Sequence, residues 1–350
     1  MKQVAVIILN WNGAELLRRY LPTVIAGTDA AIADVIVADN GSTDKSLQVL
    51  EQEFPDVKVL KFEKNYGFAQ GYNLAIGQTM YPYTVLLNSD VRTPQGWLTP
   101  LLDYMEAHPG VGAVMPKLLQ DREDDKQMFE YAGAAGGYID CHGYPYCRGR
   151  IFEYVEDDHG QYDDGPKSVF WASGACLMVR SDLYRAVGGL DKDFFAHMEE
   201  IDLCWRLQLA GQTVTVVPES FVYHVGGGTL PNESPFKLRL NYRNNLLLLE
   251  NNLAKTFRAQ GYSVEGALGK ARRRILVRML LDGASALTYL LSKKWPSYKA
   301  VVAAHAEYWK LRRKPSPDEV ASQQKEVDIH GWYPKWMVPR ALSGKPVKLT

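Results

Sequence analysis

The sequence is poor in the groups that mark several large protein classes. It holds 4 cysteines in 350 residues, and Cys141, Cys147, Cys176 and Cys204 form no CxxC pair and no zinc-type spacing. Cys141-His142 with Cys147 is too sparse a set for a metal centre, so the sulfurs read as thiols in a reducing compartment. No GxGxxG follows the first apolar run, which leads instead into Asn10-Trp11-Asn12-Gly13; this excludes the dinucleotide fingerprint. No GxxxxGK[ST] occurs either, which excludes a P-loop enzyme. The apolar start, MKQVAVIILNWNG, is one strand long and lacks a small-residue cleavage site, so it reads as a first β-strand rather than a signal peptide. There is no internal repeat.

Net charge is also absent: 40 basic residues balance 40 acidic ones. That excludes a generally basic nucleic-acid binder. The balance hides an asymmetry, because residues 1–236 carry 18 Lys and Arg against 32 Asp and Glu, whereas 237–350 carry 22 against 8. The two parts therefore face different partners.

What is present is a regular alternation. Residues 4–9 form a continuous apolar run suited to a strand buried on both faces. Helical spacing follows over 14–26, then a strand at 34–38, a helix at about 44–53, a strand at 57–62, a helix at 68–79 and a strand at 84–87. Such a β-α-β order predicts a parallel, doubly wound sheet that binds ligands at the carboxyl ends of its strands. Asn10, Asp39 and Asn88-Ser89-Asp90 stand at those ends. Residues 120–168 are Gly-rich, aromatic and acidic, and predict hairpins and loops draped over a site. A strand at 174–180, a Gly-Gly turn at 188–189, a helix starting near Glu200 and short extended segments at 214–217 and 221–224 complete this part. Beyond 237 the pattern is helical and basic.

Each polar segment has a plain structural reading beside a chemical one. Asp39-Asn40-Gly41-Ser42-Thr43-Asp44 can be a turn capping the next helix through Ser42 or Thr43; Asp39 is then left free to accept from a base or ribose. Asn88-Ser89-Asp90 can be only a turn, or Asp90 can give a hard oxygen to a divalent ion. Met198-Glu199-Glu200-Ile201-Asp202 can be a solvated helix start. Phe194, Phe195 and Trp205 nearby would instead raise a carboxylate into general-base range. His224, before Gly226-Gly227-Gly228-Thr229, can be structural or can offer a nitrogen to the same ion.

Together these segments resemble the family 2 glycosyltransferases, which are inverting, metal-dependent GT-A-fold enzymes using nucleotide sugars. The resemblance covers roughly residues 3–230 and rests on VAVIILNWNG, VIVADNGSTDKS, NYGFAQGYN, LLNSDV, WASGACLMVRSDLYRAVGGLDKDFF, HMEEIDLCWRLQLAG and YHVGGGT in family order. Its flavour is the rhamnosyltransferase-like branch of cell-surface polysaccharide synthesis. It implies that Asp39 contacts the nucleotide base, with Asn10 and Asn12 lining the same pocket and Asn65, Gly67 and Asn73 passing beside nucleotide and sugar. It implies that Asp90 binds Mg²⁺ or Mn²⁺, with His224 completing the metal site, and that Glu200 is the general base, with Glu199 the neighbour able to take that role. Trp171, Ser173 and Gly174 are expected in the acceptor wall, since aromatic faces suit sugar rings; a structural Trp171 is the other reading. Asn88 departs from the family's DxD motif by removing a negative charge, a variant shared by the rhamnosyl branch, and tilts the expected donor toward dTDP-rhamnose.

The expected organisation is a GT-A catalytic domain over 1–236, with a nucleotide-binding half at 1–118 and an acceptor half at 119–236. A helical basic extension follows over 237–350. Within it, 275–291 is apolar for about the length of a membrane span, but Arg278 and Asp282 near its middle argue against spanning. Arg272, Arg273 and Arg274 before it, and Lys293, Lys294 and Trp295 after it, fit an element within 270–314 lying on an anionic membrane surface. A helical extension packed on the catalytic domain is the other reading. The expected activity is transfer of a sugar from a nucleotide-diphosphate donor to a hydroxyl of a bacterial cell-surface glycan or lipid-linked acceptor. Its expected place is cytoplasmic, peripheral on the inner face of the cytoplasmic membrane. A silent glycan-binding protein and a sugar nucleotidyltransferase are the alternatives. The latter lacks its Gly-rich phosphate loop after strand one, and would leave Glu199–Asp202 unexplained.

Overall fold

The computed structural model describes residues 2–122, 127–226 and 234–342. The first half alternates β1 (Val4–Asn10), α1 (Ala14–Gly27), β2 (Ala33–Asp39), α2 (Ser46–Glu53), β3 (Lys58–Lys61), α3 (Gly67–Gly77), β4 (Tyr83–Asn88), β5 (Val91–Arg92), α4 (Thr99–Ala107) and β6 (Val111–Gln120). Four short strands follow: β7 (Gly137–Asp140), β8 (Pro145–Cys147), β9 (Arg150–Ile151) and β10 (Tyr154–Val155). Then come β11 (Lys167–Val169), β12 (Cys176–Arg180), α5 (Ser181–Ala186), α6 (Glu199–Leu209) and β13 (Thr213–His224). The chain ends in α7 (Pro235–Ala259), α8 (Val264–Leu291), α9 (Trp295–Leu311), α10 (Pro317–Ala321), β14 (Trp332–Tyr333) and α11 (Val338–Leu342).

The main sheet runs β11-β13-β6-β12-β4-β1-β2-β3, with β5 paired to β13. Strands β4, β1, β2 and β3 are parallel, as the β-α alternation predicts, because each crossover helix returns the chain to the same edge. Strand β12 is antiparallel to both β4 and β6, so the whole sheet is mixed. Val4, Val6, Ile7, Val85, Leu86 and Leu87 are buried, which is what continuous apolar runs require when helices cover both faces. The two extended segments expected at 214–217 and 221–224 are one strand, β13, whose register against β6 shifts between Val216 and Phe221. Pro218, in that interval, has no N–H to give to a ladder, and a bulge absorbs it.

Residues 137–155 fold as hairpins, as expected, and form a second sheet in the order β10-β9-β8-β7-β14. Its outer strand comes from the C-terminal end, with Trp332 and Tyr333 parallel to Ile139 and Asp140. The buried Asp140 carboxylate fastens this junction, accepting from the N–H groups of His142 and Tyr144 at 2.8 and 2.9 Å and of Met337 at 2.9 Å. The hydrophobic core continues into α7, where Leu246, Leu247, Leu248, Leu249, Leu253 and Phe257 join the cluster formed by the sheet. Among the described residues no helix is long and apolar enough to cross a membrane.

Candidate active site

The parallel strands deliver their polar termini to one edge. The Asn10 side-chain amide donates to the Asp39 carboxylate at 3.0 Å, and the Ser42 N–H donates to its other oxygen at 2.9 Å. Asp39 is therefore buried and oriented by the protein, not left free as the sequence implied, although each carboxylate oxygen retains a second acceptor site. Neither Ser42 nor Thr43 caps α2. The Ser42 hydroxyl instead accepts from the Asn12 N–H at 2.9 Å, and Asp44 takes the N–H groups of Ser46 and Ala14 at 2.9 and 3.1 Å. Asn12, held at φ 51, accepts from the Thr43 N–H at 2.7 Å, so the two strand-end loops lock together. Asn40 extends this lock: its amide donates to the Asn65 side chain at 3.0 Å and to the Gly67 carbonyl at 3.1 Å. Gly67 has φ +78, and a Cβ there would meet the Phe195 ring at 2.5 Å. The segment carrying Asn65 and Gly67 is thus fixed beside Asp39.

The corner at the end of β4 holds a second cluster. His224 Nε2 lies 3.1 Å from Asp90 Oδ1 and 3.4 Å from the Asn88 side-chain amide, while Nδ1 lies 3.4 Å from Glu130 Oε1. Burial alone would lower the His224 pKa, but Asp90 and Glu130 overcome it and hold the imidazole up at about 10. Sequence reasoning missed Glu130, which nothing distinguishes from the acidic residues around it. Among the described residues no group of three or more His, Cys, Asp and Glu has the arrangement of a metal centre. An ion here would displace the proton that His224 Nε2 shares with Asp90; the freed nitrogen and the carboxylate oxygen would then fit a divalent ion that takes its remaining ligands from phosphate and water. Gly227, Gly228 and Thr229, expected beside it, lie outside the described residues, as do residues 123–126 of the acidic loop.

A third cluster stands at the start of α6. Phe195, His197 and Met198 all have positive φ (64, 70 and 71), an uncommon conformation for residues carrying a Cβ. This turn sets Glu199 and Glu200 on the first turn of the helix. Glu199 is buried, and burial with the neighbouring Glu200 charge pushes its pKa well above the ordinary carboxylate range. Glu200 is only partly covered, and desolvation pushes it up to about 7. One carboxylate oxygen of each is buried with no hydrogen-bond partner. Asp202 is committed elsewhere, bonded to Arg206 at 2.7 Å and accepting from Asn252 at 2.7 Å.

The expected acceptor residues divide. Gly174 adjoins Glu200, since a Cβ there would stand 3.4 Å from the Phe68 ring and 3.6 Å from Glu200 Cβ. Ser173 is buried and accepts from the Ala175 N–H at 3.3 Å. Trp171 is buried under the second sheet, packed on Gly137, and donates its indole N–H to the Tyr138 carbonyl at 2.9 Å. A residue so enclosed offers no ring face to a sugar. Asn73 is also drawn away: it donates to the Leu190 carbonyl at 2.7 Å and accepts from the Leu190 N–H at 3.0 Å. It lines a separate cleft of about 480 Å³ with Asp191, Arg206 and Lys255.

Residues 5–188 match the family described as Glycosyl transferase family 2. The chain belongs to that family. Among curated relatives, N-acetylglucosaminyl-diphospho-decaprenol L-rhamnosyltransferase of Mycobacterium tuberculosis is 26% identical over 293 residues, covering 79% of this chain and 93% of that protein. Rhamnosyltransferase WbbL of Escherichia coli K12 is 24% identical over 230 residues, covering 63% of this chain and 83% of that one. In solved structures, GalNAc-T7 with UDP, GalNAc and Mn²⁺ superposes with TM-score 0.56 at 17% identity, over 79% of this chain and 54% of that one. A mannosyltransferase from Pyrobaculum calidifontis in complex with GDP-Man and Mn²⁺ gives TM-score 0.53 at 14% identity, over 89% and 88%. These likenesses establish the GT-A fold, and the rhamnosyltransferase resemblance read from the motifs is borne out by the relatives.

Proposed function

We propose that this family 2 transferase moves a sugar from a nucleoside-diphosphate donor to an acceptor hydroxyl in one inverting displacement, with Glu200 as general base. The observation that carries the reading is the Glu200 carboxylate, raised to about 7 with an orphaned oxygen, beside the side-chain-free Gly174. A base with that affinity for protons accepts one from an attacking hydroxyl near neutral pH. The hydroxyl oxygen then attacks the anomeric carbon from the face opposite the diphosphate, which leaves, so the configuration inverts. Asn10, Asn12, Asp39, Asn65 and Gly67 form the nucleotide side. Asp90 and His224 would hold Mg²⁺ or Mn²⁺, and the Mn²⁺ in the two superposable transferases supports Mn²⁺. Bound there, the ion would neutralise the diphosphate as it departs. Asn88 replaces the first acid of the family's DxD motif; with the rhamnosyltransferase relatives, this supports dTDP-rhamnose as donor.

The acceptor we propose is a lipid-linked glycan at the inner face of the cytoplasmic membrane. The M. tuberculosis relative's name supplies one reason. The surface of α8 supplies another. Leu276, Leu280, Leu287 and Leu291 are 53–75% exposed and fall within one narrow arc of the helix. Ala271, Ile275, Arg278, Asp282 and Ala286 form its opposite, buried face. Between residues 266 and 306 the only acid is Asp282, which is buried and paired with Arg278 at 2.7 Å. An exposed apolar stripe flanked by Arg272, Arg273, Lys293 and Lys294 suits an anionic lipid surface. The test is release of nucleoside diphosphate from a panel of nucleotide sugars with Mn²⁺ and a prenyl-diphosphate-linked sugar acceptor. Turnover with dTDP-rhamnose that requires the acceptor is expected; no turnover with any donor would refute the reading.

A further inference from the structure

Among the described residues four arginines are buried: Arg148, Arg150, Arg243 and Arg278. Three have a carboxylate at hand, with Arg148 at 3.1 Å from Asp164, Arg243 at 3.3 Å from Glu307 and Arg278 at 2.7 Å from Asp282. Arg150, 6% exposed, has no such partner among the described residues. Its Nη2 donates to the Cys147 sulfur at 3.4 Å, its guanidinium lies 4.4 Å from the centre of the Tyr131 ring, and its Nε is buried with no partner. A thiol is a weak acceptor and a phenol face supplies only part of a counter-charge. A guanidinium taken from water on those terms is costly unless something else completes it.

Its position says what that could be. Arg150 follows Gly149, whose φ is +87 and whose Cβ, if present, would strike the Phe129 ring at 2.6 Å. The β8–β9 hairpin is therefore pressed onto the segment 129–131. Glu130, the acid in that segment, already faces His224 at 3.4 Å and accepts from the Ala132 N–H at 2.6 Å. Cys147, which the guanidinium touches, lies within electrostatic reach of both Glu130 and Glu200. Arg150 thus brings a cation with no carboxylate in contact, drawn to Glu130 only at longer range, to the region between the metal corner and Glu200.

We propose that Arg150 binds a phosphate group of a substrate, an inference that rests on the transferase reading above. A guanidinium fork matches two phosphate oxygens in its plane, which a point-charge lysine does not. Two substrates carry that chemistry: the nucleoside diphosphate of the donor and the prenyl diphosphate of a lipid-linked acceptor.

Calorimetric titration of the full chain separates them, with dTDP plus Mn²⁺ as one probe and farnesyl diphosphate as the other. For Arg150→Met, at least a tenfold loss of affinity for one probe is expected, with the other within twofold; the probe that weakens names the source. Arg150→Lys should lose several-fold on the same probe. The melting temperature of Arg150→Met should stay within about 2 °C of the wild type, because no carboxylate in contact with Arg150 is stranded and Glu130 keeps His224 beside it. Both probes within twofold of wild type in Arg150→Met would overturn the inference while leaving the transferase reading standing. So would an unfolded Arg150→Met, since the protein itself would then be what satisfies the charge. A wild-type chain that binds neither probe would overturn the inference and the transferase reading together.

Discussion

The side-chain amide of Asn244 donates to the main-chain oxygen of His197 at 2.7 Å, and by that bond α7 holds the turn that delivers Glu199 and Glu200. The same amide reaches the carbonyls of Ala196 at 2.8 Å and Phe194 at 3.0 Å. Arg243 adds a donor to the Phe194 carbonyl at 2.7 Å, and the Phe195 carbonyl accepts from the Phe68 N–H at 2.7 Å. Three residues in left-handed conformation persist here because helices on two sides over-determine the turn. The basic helical segment is thus tied to the turn before Glu199 and Glu200 as well as presenting an apolar face outward.

Asn244→Ala should therefore lower kcat by about tenfold or more and leave the donor KM within twofold. The stability loss should be about 1–3 kcal/mol, the cost of stranding buried carbonyls. Steady-state kinetics with a chemical denaturation curve checks both. Equal losses in kcat and donor affinity would point instead to general damage.

The raised Glu200 should set the acid limb of the rate profile. As base it must be ionised, so kcat should fall about tenfold per pH unit below about 7. The linkage to stability has the opposite sense. A folded-state pKa above the unfolded value favours the folded protein in acid, and that contribution is lost as pH rises through about 7. Glu200→Gln should accordingly raise the melting temperature more at pH 8 than at pH 5. A gain independent of pH would show that Glu200 is not held in this state.

Asp90→Asn should shift the Mn²⁺ activation curve at least tenfold to higher concentration, and His224→Ala should do the same to a smaller degree. Chelation with EDTA should abolish turnover, and added Mn²⁺ should restore it. Unchanged metal dependence in Asp90→Asn would remove Asp90 from the ion site.

Leu280→Glu combined with Leu287→Glu should abolish flotation with vesicles containing anionic phospholipid and leave the melting temperature within about 2 °C, because both side chains are exposed. Neutral vesicles should bind the wild-type chain weakly. Undiminished flotation of the double variant would assign the stripe another role.

Particular residues show how far the sequence reaches. The parallel half was legible because VAVIIL and TVLL are continuous apolar runs with polar residues at their ends, and local periodicity records burial. The positions of Asp39, Asp90 and Glu200 at strand or helix ends were legible for the same reason. Asn73 and Trp171 were misplaced because their partners, Leu190 and Tyr138, are 117 and 33 residues away, and no local pattern encodes such a pairing. Glu130 was hidden within an acidic, irregular stretch. Asn244 had a signal that went unused: asparagine is a poor helix former, so RNN inside a leucine-rich helix implies buried amides with work to do.

The measurement closest to the central claim compares Glu200→Gln with Glu199→Gln in single-turnover transfer from dTDP-rhamnose, with dTDP affinity measured alongside. The account predicts a 10²–10⁴-fold loss in Glu200→Gln, a smaller loss in Glu199→Gln and dTDP binding unchanged in both. Full transfer by a folded Glu200→Gln, or the larger loss in Glu199→Gln, would contradict it.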